Sequence, residues 1–192
     1  EEVKDLLDLL VKNIGELATA QGNTPKKGTA QGEVQISHQV SIGITDGKIS
    51  YVGPEEEAPT AKQTYDAEGC LVTPGLVDAH THLVFGGWRQ HELPQKLAGA
   101  TYLEILKGGG GILSTVRNTR AATEEELVEK TKNLLDQMIA HGTTTVEAKS
   151  GYGLSTAEEL KQLRVVRALQ ETHPVDLVST FMGAHAIPEE YK

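Results

Sequence analysis

TPGLVDAHTHLVFGG, residues 73–87, sets two histidines, His80 and His82, one residue apart inside an apolar run. In extended backbone, successive side chains alternate faces, so positions two apart point the same way. The spacing predicts a strand from about Leu76 to Val84 with both imidazoles on one side. Two converging neutral rings can supply two nitrogen donors to one metal at about 2.0–2.1 Å, the usual zinc distance. Such a pair can also be satisfied by backbone bonds. Pro74-Gly75 ahead of the run and Asp78 within it strengthen the metal reading.

Downstream of this stretch, continuous apolar runs alternate with amphipathic ones. Strands are expected at Thr143 to Ala148 and at Val175 to Phe181. A helix before each is signalled by a capping box: Thr123 with Glu126 opens one that Gly142 ends, and Thr156 with Glu159 opens the other. The second carries Leu160, Leu163, Val166 and Leu169 at helical spacing. Strand and helix in alternation imply βαβ units and a parallel sheet, hence an α/β fold. The segment from Phe85 to Ala122 reads as a long connection. Its GGGG at 108–111 lacks the lysine and hydroxyl of a phosphate loop.

Upstream, VSIGITDGKISYVG at 40–53 holds two alternating runs around Asp46-Gly47, a hairpin signal because both turn positions need positive φ. LLVKNIGELAT at 9–19 reads as a further strand, and 22–32 as a polar loop. Residues 1–72 thus form a small β-rich unit. Pro54 to Lys62, with three consecutive glutamates, reads as a solvated loop.

The 192 residues carry 18 Lys and Arg against 27 Asp and Glu, a formal net charge of -9. That balance argues against nucleic acid or an anionic membrane as partner. No run approaches the roughly 18 apolar residues of a spanning helix, and no signal segment opens the chain, so a cytoplasmic location is expected. Cys70, the one cysteine, excludes an internal disulfide. It is expected as a small buried hydrophobe in the strand CLVTPG.

Ligands of parallel α/β sheets collect at the carboxyl ends of the strands. The titratable residues fall at such ends: His80 and His82 late in the first strand, Glu147, Lys149 and Tyr152 around the end of the second, His185 after the third. Glu147 and Lys149 read as an internal ion pair, since a charge inside needs a partner. Arg89 in WRQHE also fits a solvated surface arginine, Tyr152 a turn residue between glycines, and His185 a loop histidine bonded to backbone.

TPGLVDAHTHL closely resembles the first barrel strand of the metal-dependent amidohydrolase superfamily, and DGKISYVGP its N-terminal β-sandwich. HLVFGGWR at 82–89, TTTVEAKSGYGL at 143–154, ELKQLRV at 159–165 and PVDLVSTFMGAHAIP at 174–188 resemble the imidazolonepropionase family within it. The resemblance implies a small β-sandwich portion over 1–72. Over 73–192 it implies the first part of a metal-dependent TIM-like (β/α)8 barrel. It implies hydrolysis of the ring amide C–N bond of 4-imidazolone-5-propanoate, a carboxylate-bearing small molecule, to N-formimidoyl-L-glutamate in histidine degradation. It further implies one zinc or iron ion held by His80 and His82, and substrate binding by Arg89, Tyr152 and His185. A possible homo-oligomer is expected.

A complete barrel takes about 250 residues, more than the stretch after residue 73 supplies. A catalytic zinc usually has three protein ligands, and only two are visible. The remaining histidine and aspartate, and the catalytic acid or base, are expected beyond Lys192. The isolated chain is expected to be inactive.

Overall fold

The computed structural model describes residues 6–22, 24–188 and 190. The chain divides into two compact units, 1–74 and 75–192.

The first unit is β-structure in two sheets. One has the order β5-β4-β1-β6, with β1 Leu7–Lys12, β4 Val40–Thr45, β5 Lys48–Pro54 and β6 Ala61–Asp66. The other has the order β3-β2-β7, from β2 Glu16–Thr19, β3 Gln35–Ser37 and β7 Leu71–Val72. The β4–β5 hairpin turns at Asp46 and Gly47 with φ of 50° and 70°, the positive pair that a two-residue turn demands. Ile14, Leu17 and Ala67 form a shared core, with Val11 and Ile42 of the first sheet and Val72 of the second packed on it.

LLVKNIGELAT is two strands rather than one. Asn13 adopts a left-handed φ of 54°. Two residues on, a Cβ at Gly15 would lie 2.0 Å from the Gly69 carbonyl oxygen, so only glycine passes there. The break sends β1 to one sheet and β2 to the other. One more expectation fails in this unit and one overruns. The segment after Pro54 is a solvated connection as expected, but only to Thr60; β6 begins at Ala61 and pairs parallel with β1. Cys70 is exposed and precedes β7 instead of lying buried in a strand.

The second unit is a three-stranded parallel sheet of order β10-β9-β8, from β8 Leu76–Thr81, β9 Thr143–Lys149 and β10 Asp176–Thr180. Helices α4 (Glu124–Ala140) and α5 (Thr156–Thr172) precede β9 and β10. The core joins Leu127 and Leu135 of α4, Val165, Val166 and Leu169 of α5, and Val146 and Ala148 of β9. Burying each of the leucines and valines contributes about 1.5–3 kcal/mol, enough to fix both helices on the sheet.

The long connection read from Phe85 to Ala122 instead contains three helices, α1 Glu92–Leu97, α2 Tyr102–Lys107 and α3 Gly111–Ala121. Its glycine run punctuates rather than loosens the chain: Gly108 ends α2 and Gly110 caps α3. Thr123 and Glu126 do form the reciprocal capping box of α4. Thr156 and Glu159 do not cap α5. Its N-cap is Ser155, without a side-chain bond, and Glu159 turns inward, only 2% exposed.

Candidate active site

The site lies where the parallel strands end. The register of β8 against β9 shifts between Asp78 and Thr81, and the Asp78 carboxylate accepts from the His80 N–H at 3.2 Å. Past this irregularity β8 ends at Thr81, so His82 stands just beyond the regular strand. The two histidines consequently meet different surroundings. His80 is exposed while His82 is half-buried.

A cleft of about 260 Å³ is lined by His82, Phe85, Trp88, Arg89, Thr115 and Tyr152. His185 joins it from the segment after β10: its ring centroid is 4.5 Å from that of His82 and 5.8 Å from that of Tyr152, and His82 and Tyr152 lie 4.7 Å apart. Four residues singled out from the sequence thus converge from three strand ends. His80 is not among the residues lining the cleft.

Burial, followed by the neighbouring His185, lowers the His82 pKa and favours its neutral ring. Burial raises the Tyr152 pKa, and Arg89 nearby offsets part of that rise. The phenol is therefore a donor at neutral pH. Glu147 and Lys149 pair as expected, and Glu147 also accepts from the Thr180 hydroxyl at 2.9 Å. These bonds hold the Glu147 pKa below the usual carboxylate range.

The two loops that carry the cleft are fixed from behind by residues the sequence reading passed over. In the first loop, Lys130 of α4 donates to the Phe85 and Gly87 carbonyls. Its ammonium also sits 3.6 Å from the Phe85 ring centroid and 4.2 Å from that of Trp88. Thr119 accepts from the Gly86 N–H at 2.9 Å. In the second loop, the buried Glu159 carboxylate accepts from the N–H groups of Gly151, Gly153 and Leu154 at 2.7–2.9 Å. Gln162, 1% exposed, touches both loops, donating to the Val84 carbonyl at 2.7 Å and accepting from the Tyr152 N–H at 3.2 Å. Gly151, at φ 115°, leaves room for His185, whose Cβ would be 2.9 Å from an added Cβ. The polar interruption of the α5 stripe at Glu159 and Gln162 was the available signal. It was missed because Glu159 also matched a capping box.

A metal fits this donor set in part. The His82 ring is poised neutral, and its Nδ1 is buried without a hydrogen-bond partner. Among the described residues no group of three or more His, Cys, Asp or Glu is arranged to hold a metal. No helix among them is long and apolar enough to cross a membrane.

Residues 63–148 match the sequence profile of the amidohydrolase family. An imidazolonepropionase of Bacillus cytotoxicus is 54% identical over 190 residues, which cover 97% of this chain and 45% of the relative. One from Bacillus velezensis is 52% identical over 188 residues, with the same coverage. The chain therefore spans about half the length of the curated relatives it matches. Among solved structures, Escherichia coli guanine deaminase matches with a TM-score of 0.59 at 16% identity, covering 95% of this chain and 38% of the other. A zinc-complexed atrazine chlorohydrolase of Arthrobacter aurescens TC1 gives 0.59 at 17%, covering 90% and 35%. At such identities the likeness concerns fold alone.

Proposed function

We propose that the chain belongs to the amidohydrolase family, on its imidazolonepropionase branch, and that it carries the substrate-recognition half of an imidazolonepropionase site; the match of residues 63–148 to the family profile and the 52–54% identity to two imidazolonepropionases support this. The reaction is hydrolysis of 4-imidazolone-5-propanoate: water adds across the ring amide, the C–N bond breaks, and N-formimidoyl-L-glutamate results. The observation that carries the proposal is the convergence of Arg89, Tyr152 and His185 around His82 in one cleft.

Each group has a task that its setting suits. Arg89 presents a planar fork of donors to the propionate carboxylate, which a lysine would meet only as a point charge. Tyr152, kept protonated by burial, donates to the ring carbonyl as negative charge develops on its oxygen. His185, stacked edgewise on Tyr152, is within reach of the same ring. His80 and His82 are the proposed ligands of one zinc or iron ion; imidazole suits either metal. Such an ion makes a water nucleophilic near neutral pH by lowering its pKa toward about 7. The three parallel strands are proposed as the opening arc of a (β/α)8 barrel, with 1–72 as the sandwich portion. The rest of the ligand set then comes from sequence outside this chain. A cytoplasmic small-molecule enzyme follows from the same reading.

The test is a full-length protein carrying this sequence, assayed with zinc or iron bound. Arg89→Ala is expected to raise KM for imidazolonepropanoate at least about tenfold while changing kcat less, since it removes binding shared by ground and transition states. An unaltered KM would mean a substrate without a carboxylate, and so a different amidohydrolase.

A further inference from the structure

We infer that Gln162 is a positioning residue that locks the Arg89 loop and the Tyr152 loop into one register. The inference rests on the proposed function for its consequence, and on hydrogen bonds within the fold for its existence.

Gln162 lies on the face of α5 that also buries Val165, Val166 and Leu169. An apolar side chain there would extend the core stripe. A buried amide costs stability unless both its ends are bonded, and here both are. The Val84 carbonyl can only accept and the Tyr152 N–H can only donate, so the pair dictates which end of the carboxamide faces which loop. Val84 is 1% exposed; two residues before it is His82, and five after it is Arg89. Tyr152 carries the phenol of the cleft on its own residue. One side chain therefore spans from the strand end bearing His82 to the loop bearing Tyr152.

Glu159, one turn earlier on the same helix, acts on a different set of groups. It holds Gly151, Gly153 and Leu154 but leaves the Tyr152 N–H to Gln162. Its carboxylate sits in the first turn of α5, where the helix dipole favours negative charge. The loop is thus shaped by Glu159 and joined to its neighbour by Gln162. Loss of the join should leave the loop's shape and free its placement.

Two variants test this. Gln162→Met keeps length and burial but loses both bonds; Gln162→Glu keeps the acceptor and regains the donor only when protonated. In the 192-residue chain, amide exchange at Tyr152 should quicken at least about tenfold in Gln162→Met, while Leu154, bonded to Glu159, keeps its rate. Unchanged exchange at Tyr152 overturns the tether whatever the protein catalyses. In the full-length metal-loaded enzyme, Gln162→Met should raise KM for imidazolonepropanoate at least about tenfold with a smaller change in kcat. At a position only 1% exposed, burial raises the carboxyl pKa of Gln162→Glu far above its ordinary value, so its KM relative to wild type should fall toward one as pH drops from 8 to 6. A lowered melting temperature with KM and its pH dependence unmoved would reduce Gln162 to a packing residue and overturn the inference. If Gln162→Met does not fold, Gln162→Glu near pH 6 and pH 8 supplies the same comparison. Wild type that binds metal yet does not turn over imidazolonepropanoate would instead overturn the proposed function, and the exchange rates would still decide the tether.

Discussion

At the scale of single residues, the clearest conflict between charge and burial is at Lys130. Its ammonium holds two carbonyls and faces two aromatic rings, and burial lowers its pKa to about 8. The folded state therefore releases this proton near pH 8, whereas the unfolded chain keeps it to about 10.4. Between those values the unfolded state binds more protons, so this group makes stability rise with pH. Above about 10 the raised Tyr152 and Tyr51 pKa values act in the opposite sense. The urea midpoint of wild type relative to Lys130→Met should therefore increase from pH 7.5 to 9.5; a flat or falling difference would contradict the burial argument. Lys130 was not legible in the sequence, because a lysine on an amphipathic helix looks alike whether it faces solvent or a loop. His82, Tyr152 and His185 were legible, since their residue types fell at strand ends, whereas Arg89 was singled out only by the family resemblance. His80 does not line the cleft, yet it stands near enough to His82 to help lower that ring's pKa.

Among the elements, α4 and α5 contrast in how they begin. Thr123 accepts from the Glu126 N–H at 3.1 Å while Glu126 accepts from the Thr123 N–H at 2.8 Å. Thr123→Ala should cost about 1 kcal/mol. Thr156→Ala should stay within about 0.5 kcal/mol, the range of surface changes away from such features, since Thr156 caps nothing. Urea titrations of the two variants would check the difference, and equal losses would mean that α5 is capped as its sequence suggests. The identical motif acts differently because Glu159 finds three backbone donors in the 151–154 loop, a better set of partners than one cap. The three short helices between β8 and α4 escaped notice for a related reason. Each is 6–11 residues long, too short for a periodic pattern to stand out, and glycine flanked two of them.

In the molecule as a whole, the parallel sheet of the second unit has β8 and β10 at its edges. Leu76 and Val77 on one, with Val178 on the other and Phe181 just beyond it, are all more than half exposed. Unpaired edges with apolar flanks are templates for further strands. The 192-residue chain should therefore show a concentration-dependent mass by sedimentation, reduced by Val77→Lys together with Val178→Lys; a constant monomer mass would contradict this. The sequence by itself determined the kind of fold, the hairpin at Asp46-Gly47, the three parallel strands and which titratable side chains stand at their ends. It could do so because side-chain period, turn residues and strand-end placement are local properties. Only the tertiary structure decided that LLVKNIGELAT divides between two sheets, that His82 rather than His80 enters the cleft, and that Glu159, Gln162 and Lys130 face inward. Those outcomes depend on which carbonyls and N–H groups distant segments present, and no local pattern encodes the partner.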